Sequence, residues 1–359
     1  MQIEILDASS DAEKWLRVLG RLPASMLDVY FWPEWVMLHR FEPGARAILF
    51  TYQRADELWV YPFLLQPVSH VGEHALEKIW YDIETAYGYG GPLASTEDAD
   101  FLVEAHNAFA KWCQRQSVVA EFVRLHPLSQ NQRWLDPQVE LVCDRKTVSL
   151  SLAHLSSDDL PFDKDTCYML RRAERLGIHV KVYPTHNHFD RFMTIYMHMM
   201  DRLGADEYYN FNEDYFVGLR QLVHDAGWLL VAEQGEEWVA AAVFLRGSTW
   251  LHYHLSASDP DKRVPGANNQ LLYIAAQIGS QHGLERLHLG GGLTRMPNDP
   301  LLRFKRSMAT DSHSFYIGKR VHNPDVYAYL RELWEQRYPS LVPKYGHRVL
   351  CYRYRMPEQ

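Results

Sequence analysis

The first candidate for chemistry is the segment of residues 80–95, WYDIETAYGYGGPLAS. It starts with the alternation of a β-strand, which puts the carboxylates of Asp82 and Glu84 on one face. Glycines then allow positive φ angles and close approach of a ligand, and tyrosines offer apolar walls with a hydroxyl at the rim. These residues are Tyr87, Gly88, Tyr89, Gly90 and Gly91. The segment is a candidate binding corner; the alternative is a Gly-Pro turn whose aromatics fill a core edge.

A second candidate is the cationic sequence LLRFKRSM, which follows the glycines of residues 290–292. Helical spacing puts Arg303 and Arg306 on one face and points Lys305 elsewhere. Three cations beside a glycine-rich strand end are suited to phosphates or to an acceptor carboxylate. The alternative interpretation is a solvated helix face.

Two H-x-H pairs, His186 with His188 and His252 with His254, are the best metal-ligand candidates in the sequence. Strand alternation puts the second pair on one face, but no regularly spaced carboxylate or cysteine accompanies it, so we expect hydrogen-bonded histidines and no metal. A G-x-S-x-G elbow, a P-loop and a dinucleotide fingerprint are all missing from the sequence.

Length and composition indicate which classes of protein this chain can belong to. With 359 residues and 47% hydrophobic content, two globular domains are expected and long disorder is not. The net charge of −8 argues against a general nucleic-acid coat protein, although one basic patch is compatible with it. Four scattered cysteines without C-x-x-C spacing indicate reduced thiols. We see neither a signal peptide nor an apolar run of the ~20 residues that span a bilayer, so a cytoplasmic location is expected.

The elements that must position these residues alternate between strands and helices. In the first half, hydrophobic periodicity predicts strands near residues 3–6, 45–52, 57–66, 80–85, 118–125, 139–142 and 147–152, and helices near 11–19, 33–40 and 96–115. The polar sequence SSDD at residues 156–159 is predicted to be the linker.

The second half has a recognisable element order. Helices are predicted near residues 165–176, 187–203, 212–226, 268–282, 299–308 and 324–337, and strands near 178–183, 228–233, 238–246, 250–257, 286–289, 312–317 and 348–355. Two helices, three meandering strands, then helix, strand, helix and strand is the order of a GNAT-type acyltransferase, and the first half repeats it loosely.

A GNAT domain binds a pyrophosphate on backbone amides at a helix N-terminus, in a turn usually spelled Q/R-x-x-G-x-G/A. The corresponding sequence is RVPGAN, residues 263–268. Gly266 fits, but Asn268 replaces the last small residue and Pro265 removes one amide donor. Coenzyme A binding at Asn268 and an ordinary helix N-cap at this residue therefore both stay open.

Several motifs together resemble the FemABX family of non-ribosomal peptidyl transferases. They are YDIETAYGYGGP (81–92), EFVRLHPL (121–128), RRAERLGIHV (171–180), WLHYHLSAS (250–258), ANNQLLYIAAQIG (267–279), and HLGGGL with LLRFKRSM (288–308). Each is moderately specific, but their order and spacing agree over most of the chain.

The resemblance implies an α/β protein with mixed sheets and two tandem GNAT-like domains separated by a cleft. We expect domains at residues 1–155 and 156–318, with residues 319–359 packing back on the first domain. Several family members carry an acidic residue three positions after the Gly-Pro, where this chain has Ser95. Asp82 or Glu84, or the substrate itself, would then have to accept the proton. The long coiled-coil arm that some members use around tRNA is also missing, as it is in shorter members.

The resemblance further implies amide bond formation by aminolysis of an activated ester. Lys305 is assigned to the donor phosphate or the oxyanion, and Asp82 is a candidate proton acceptor. The corner at residues 87–91 would line the acceptor side. Arg124, Arg171 and Arg172 are expected to bind carboxylates or phosphates of the acceptor. Tyr168 and His254 are expected to make supporting hydrogen bonds. A basic wall toward the donor would consist of Arg303, Lys305, Arg306, Lys319 and Arg320.

The expected enzyme transfers an aminoacyl group from aminoacyl-tRNA to a peptidoglycan precursor or another small peptide-like or amino-sugar acceptor, and needs no cofactor. DNA is not an expected partner, and a peripheral membrane contact stays open. One alternative is an acyl-CoA-dependent GNAT N-acyltransferase, and another is a catalytically inactive FemAB-like binding protein.

Overall fold

The chain forms two compact units in a computed structural model that describes residues 1–153, 155, 160–204, 211–259 and 261–356. The first unit contains Met1–Met26, Tyr30–Asp144 and Phe315–Gln359. The second contains Leu27–Val29 and Arg145–Ser314. The C-terminal residues thus belong to the first unit. The predicted linker at residues 156–159 lies outside the described residues, and the domain boundaries proposed from the sequence stay predictions.

The first unit is built on a mixed sheet with the strand order β1-β2-β3-β4-β6-β13. The strands are β1 (Gln2–Asp7), β2 (Arg46–Arg54), β3 (Glu57–Val71), β4 (His74–Glu84), β6 (Val118–Arg124) and the part of β13 (Asp311–Val321) from Phe315 onward, with the short β5 (Leu93–Ala94) beside β3. Its helices are α1 (Ala8–Leu19), α2 (Pro33–Met37), α3 (Ala99–Arg115), α9 (Pro324–Arg337) and α10 (Val342–Tyr345). Only β4 and β6 pair in parallel among these neighbours.

Helix α3 shows how the sequence specifies these elements. The Asp98 carboxylate caps its first turn by accepting a hydrogen bond from the Phe101 amide at 2.8 Å. Phe101, Ala105 and Phe109 follow at intervals of four residues and are buried. The helix therefore presents one apolar stripe to the sheet.

The second unit has the strand order β7-β12-β11-β10-β9-β8. These strands are β7 (Glu140–Ser151) from Arg145 onward, β8 (Ile178–Tyr183), β9 (Gly227–Gln234), β10 (Glu237–Arg246), β11 (Trp250–Ser258) and β12 (Arg286–Gly291). Its helices are α4 (Lys164–Arg175), α5 (Thr185–Leu203), α6 (Glu213–Ala226), α7 (Ala267–Gln281) and α8 (Pro300–Ser307).

One face of the second sheet carries the main core of this unit. Val148 and Leu150 of β7 point into it, while Thr147 and Ser149 alternate to the opposite face. Helix α7 is apolar on most of its circumference, since nine of its residues are buried. It packs against the sheet together with α4 and the C-terminal end of α8.

Two sequence-based predictions are wrong. The basic segment at residues 348–355 is not a strand: Cys351–Arg353 form a 3₁₀ turn, with Cys351 and Tyr352 buried. Its alternation of basic and apolar residues is typical of a strand, but in the 3₁₀ turn Arg353 contacts the buried carboxylate of Asp82. The two predicted strands at 139–142 and 147–152 are one continuous strand, β7, whose middle is partly exposed.

Within the described part of the chain, no helix has both the length and the apolar character needed to cross a bilayer.

Candidate active site

Strands β11 and β12 of the second unit run in parallel but pair over only three positions. Trp250, Leu251 and His252 pair with Arg286, Leu287 and His288, and the described register between the two strands ends there. Each strand also carries a β-bulge near this point. On β11 the extra residue is His254, and on β12 it is Leu289.

These bulges change the direction of the carboxyl ends of two parallel strands. In open α/β sheets, ligands bind at such carboxyl ends. We call the gap that begins after these pairs, between Tyr253 of β11 and Gly291 of β12, the β11–β12 opening.

Lys305 lies at this opening. Its Nζ donates a hydrogen bond to the Gly291 carbonyl at 2.9 Å and stands 5.7 Å from the centroid of the Tyr253 ring. Burial lowers the pKa of Lys305 to about 8, against the opposing attraction of Asp299. The ammonium form therefore predominates at neutral pH, with little water to screen its charge.

Tyr253 supplies the apolar wall beside this cation. Burial raises the pKa of Tyr253 to about 12, so its hydroxyl stays protonated. The ring packs on Phe244 with centroids 5.5 Å apart. Sequence reasoning missed Tyr253, although its position between the two histidines of an H-x-H strand motif was a usable signal.

The other two predicted cations of α8 differ from Lys305. Arg303 and Arg306 are exposed, on the helix face that the spacing predicts. Arg306 donates to the Pro297 carbonyl at 3.0 Å. Of the three, Lys305 alone contacts the strand ends of the opening within the described residues.

Asp299 sets the position of α8 and was also missed. Its buried carboxylate accepts hydrogen bonds from the Leu302 amide and from the amide and hydroxyl of Thr294, each at 2.9 Å. Burial acts to raise the pKa of Asp299, but these hydrogen bonds lower it to about 2. An Asp-Pro pair before an amphipathic helix is a capping signal that could have identified it.

The glycines before α8 have packing roles. A Cβ atom on Gly292 would lie 2.4 Å from Oδ1 of Asp299, so only glycine lets this carboxylate approach. The Gly291 carbonyl is the acceptor for Lys305, and the Gly292 carbonyl accepts from Arg145 at 3.1 Å. The segment thus holds α8 against β12 through its carbonyls.

The predicted pyrophosphate turn at residues 263–268 is covered by α4. Gly266 has φ of +85°, and a Cβ atom there would lie 2.3 Å from the Met169 carbonyl oxygen and 3.1 Å from Cβ of Ala173. Gly266, not Asn268, is the N-cap of α7. The Asn268 side chain instead contacts the Ser258 hydroxyl at 3.3 Å. Gly266 is therefore packed against α4, whereas Arg263 and Pro265 of the turn are exposed.

The second H-x-H pair is hydrogen-bonded. His252 is buried, with Nε2 2.7 Å from Asp28 Oδ2 and Nδ1 3.3 Å from His288 Nδ1. His254 Nε2 lies 2.8 Å from the Tyr215 hydroxyl. The predicted supporting role of His254 thus stays a prediction, with Tyr215 as a partner.

The tyrosine–glycine corner, residues 87–91, lies in the first unit, and close packing explains why glycine occupies its positions. Gly88 has φ of +84°, and a Cβ atom on it would meet the Tyr30 ring at 2.8 Å. At Gly91, with φ of +90°, it would lie 2.7 Å from Leu125. Asn131 Nδ2 donates to the Gly90 carbonyl at 2.7 Å.

Close packing thus accounts for the corner's glycines, as the Gly-Pro turn interpretation requires. Its tyrosines are half-buried, and the Tyr89 ring packs edgewise on Tyr30 with centroids 5.1 Å apart. Tyr87 accepts a hydrogen bond on its carbonyl from the Trp35 indole at 3.2 Å. Acceptor binding at this corner stays a prediction.

One other assignment in the first unit needs correction. Asp82 is fully buried, and both of its oxygens accept hydrogen bonds from Arg353, at 2.6 and 2.8 Å. Burial raises the pKa of Asp82 to about 6 against the pull of Arg353, but a carboxylate enclosed in this way has no access to a substrate proton.

Arg124 is engaged as well. It donates to Glu84 at 2.8 Å and to the Thr85 carbonyl at 3.0 Å, and its guanidinium lies 4.6 Å from the centroid of the Phe122 ring. These contacts position the Arg124 side chain, and acceptor binding by Arg124 stays a prediction. Arg353, which the sequence reasoning missed, is the residue that converts Asp82 into a structural carboxylate.

Helix α4 carries the remaining predicted residues, Tyr168, Arg171 and Arg172, on its exposed side. Tyr168, Arg171, Glu174 and Arg175 line a surface groove of about 530 Å³. Acceptor binding by Arg171 and Arg172 stays a prediction.

Comparison with known proteins identifies the fold. Residues 163–306 match the sequence family described as an acetyltransferase (GNAT) domain. No curated protein matches the chain. A crystal structure of FemX is similar, with a TM-score of 0.67 and 13% identity over 92% of this chain and 99% of that one.

Two further structures are similar over comparable lengths. The C-terminal domain of a putative lysylphosphatidylglycerol synthetase from Agrobacterium fabrum has a TM-score of 0.55 and 11% identity, over 93% of this chain and 97% of that one. A tandem GNAT protein from the clavulanic acid biosynthesis pathway has a TM-score of 0.51 and 6% identity, over 90% and 99%. The fold is therefore that of two GNAT-like domains.

Proposed function

We propose, from the premise that this chain is a FemABX-like acyltransferase of the GNAT fold, that it transfers an aminoacyl group from an aminoacyl-tRNA to an amine. The proposed acceptor is an amine of a peptidoglycan precursor or of another small peptide-like or amino-sugar molecule, as the FemABX resemblance implies. The name of one structurally similar protein, the putative lysylphosphatidylglycerol synthetase, contains a lysyl group, which is an aminoacyl group.

The observation that carries the proposal is the ammonium group of Lys305 at the β11–β12 opening. It is held by the Gly291 carbonyl and the Tyr253 ring, on a helix clamped by Asp299. A fixed cation at the diverging ends of parallel strands stabilises negative charge that develops on a bound carbonyl, or binds a donor phosphate. Because the helix is positioned before the substrate arrives, little reorganisation is needed during the reaction.

The reaction balances without a cofactor. The acceptor amine attacks the ester carbonyl carbon of the donor and forms the C–N bond. The tetrahedral oxyanion then collapses, the C–O bond to the ribose breaks, and the amine's proton ends on the departing ribose oxygen. Lys305 supplies charge stabilisation in these steps, and the substrate takes the proton in place of Asp82.

The donor assignment is supported by the packing of α4. Coenzyme A would need the amides of the 263–268 turn, and the Met169 carbonyl and the Ala173 methyl group pack against Gly266 in that turn. Ala267 in the turn and Asn269 and Gln270, which follow it in α7, are also buried. An ester donor that enters at the β11–β12 opening needs no hydrogen bonds from the amides of this turn.

The decisive experiment supplies the protein with a charged tRNA pool and, in parallel, with acetyl coenzyme A, each with a set of amine acceptors, and identifies amide products by mass spectrometry. We expect consumption of the aminoacyl ester only. Lys305→Ala should lower the rate about 100-fold, as loss of one electrostatic donor does. Lys262→Ala, which removes an exposed lysine paired with Glu237, is the matched control and should retain the wild-type rate.

Other outcomes separate the alternatives. Consumption of acetyl coenzyme A in place of the ester would establish the acyl-CoA-dependent enzyme. Acceptor binding with neither product would establish a FemAB-like binding protein. Wild-type turnover in Lys305→Ala would remove Lys305 from the mechanism.

A further inference from the structure

One face of helix α4 in the second unit is an exposed stripe of cations around an aromatic ring. Lys164, Tyr168, Arg171 and Arg175 are spaced by four, three and four residues, so they project from the same side of the helix. All four are exposed, and Tyr168 retains 49% of its accessible surface. We call these four residues the α4 stripe.

The opposite face of α4 explains why the stripe is turned outward. Thr166, Leu170 and Ala173 are buried against the core of the unit. Asp163 caps the first turn by accepting from the Thr166 amide at 2.7 Å. The orientation of the helix is therefore fixed by packing, and the stripe has a defined position.

The cations of the stripe are available for an external anion. Within the described part of the chain, none of Lys164, Arg171 and Arg175 forms an ion pair with a carboxylate. The Arg175 guanidinium stands 5.8 Å from the centroid of the Tyr168 ring, a cation–π arrangement that orients both groups. Glu174 at the groove edge is the one acidic residue among its lining.

Helix α4, which carries the stripe, contacts the helix that carries Lys305. The Thr166 hydroxyl donates to the carbonyl of Ser307, two residues after Lys305, at 3.2 Å. The carbonyl of Met169 lies against Gly266 at the start of α7. The buried face of α4 therefore joins the C-terminal end of α8, and the stripe on the exposed face extends over about 16 Å of the helix.

We propose that the α4 stripe binds the single-stranded 3′ end of an RNA, with bases stacked on Tyr168 and phosphates bound by Lys164, Arg171 and Arg175. The inference rests on the proposed function, because it assigns a surface to the RNA part of the donor. Alternation of a cation with a flat aromatic ring is what a single strand requires, since it offers both phosphates and unpaired base faces. A free phosphate would use the cations but not the exposed surface of the Tyr168 ring.

The binding test uses fluorescence anisotropy with a labelled, uncharged single-stranded RNA heptamer ending in CCA, at several salt concentrations. We expect Tyr168→Ala to weaken binding by about 10-fold or more through loss of stacking. Arg171→Ala with Arg175→Ala should weaken it further and reduce the slope of log K against log salt by about 1.4, since each phosphate contact on a single strand contributes about 0.7. Arg202→Ala, an exposed arginine of the same unit paired with Asp261, is the control and should bind as the wild type does.

Three results would overturn the proposal. The first is wild-type affinity of the stripe variants for the heptamer, and the second is failure of the wild-type protein to bind it. Equal affinity for a duplex RNA of the same length would also contradict base stacking. Because the substituted side chains are exposed, unchanged unfolding temperatures should accompany the affinity losses.

A transfer assay separates this inference from the proposed function. With aminoacyl-tRNA as donor the stripe variants should lose activity, whereas with an aminoacyl ester of adenosine, which lacks the RNA body, they should match the wild type. Equal losses with both donors would contradict an RNA-binding role. Failure of both donors with the wild-type protein would reject the proposed function, while the anisotropy result would still decide RNA binding.

Discussion

Lys305 differs from the two arginines of its helix in its surroundings. Its Nζ is hydrogen-bonded to a backbone carbonyl and faces an aromatic ring, whereas Arg303 and Arg306 are exposed. Burial lowers the pKa of Lys305 to about 8, which brings its charge change into an accessible pH range. The charged form is the one that stabilises an oxyanion.

A pH profile tests this role. If the Lys305 ammonium is required, the transfer rate should be highest below pH 8 and should fall as the pH rises through about 8, because Nζ loses its proton there. The measurement is single-turnover amide formation between pH 6 and pH 9.5 with a saturating donor. Lys305→Arg should shift the fall to higher pH, since arginine keeps its charge. The acceptor amine also loses a proton in this range, so the wild-type rate is divided by the Lys305→Arg rate, and a ratio that does not fall through pH 8 would contradict the prediction.

At the scale of elements, the C-terminal 3₁₀ turn is fastened to β4 by one buried ion pair. Arg353 donates two hydrogen bonds to Asp82 and further ones to the Gln66 and Pro67 carbonyls, each at 3.2 Å. The pair is bidentate, and Nη2 of Arg353 also donates to the two backbone carbonyls. This contact accounts for the strand prediction that failed at residues 348–355.

Removal of one partner should therefore be costly. Arg353→Ala leaves the carboxylate of Asp82 buried without its cation, and we expect a loss of about 3–5 kcal/mol in the free energy of unfolding. Urea denaturation of the first unit, followed by tryptophan fluorescence, measures it. The double variant Asp82→Leu with Arg353→Met should recover most of the loss, because it buries no charge. A single variant as stable as the wild type would show that the pair is dispensable.

At the scale of the whole molecule, the first unit is assembled from segments far apart in the chain. One hydrophobic cluster of the first unit contains Val68 and Val119 from the sheet strands and Leu330, Trp334 and Tyr352 from the C-terminal segment. The Trp334 indole donates to the Tyr354 carbonyl at 2.9 Å. The last part of the chain is therefore a component of the first unit's core.

Truncation tests this dependence. A chain that ends after Val321 lacks α9, α10 and the 3₁₀ turn, and we expect loss of near-ultraviolet circular dichroism and of amide protection in β3 and β4, since their apolar face becomes exposed. A chain that ends after Met356 keeps every described contact and serves as the control. Native protection of β3 and β4 in the shorter chain would contradict the expected dependence.

The sequence by itself determined what depends on neighbouring residues. Hydrophobic periodicity and the order of helices and strands identified the GNAT-like halves, and helical spacing separated Lys305 from Arg303 and Arg306. These features are local, since periods of two and 3.6 residues and the capping hydrogen bonds involve residues close in the chain.

Only the tertiary structure decided which distant residues meet. The sequence could not show that Arg353 encloses Asp82, that α4 covers the turn at Gly266, or that β11 and β12 separate after His252 and His288. Each depends on strand register, on bulges or on helix packing, in which partners more than 30 residues apart are selected by the fit of whole surfaces. The candidate residues were therefore readable in the sequence, whereas their roles followed from contacts that it does not encode locally.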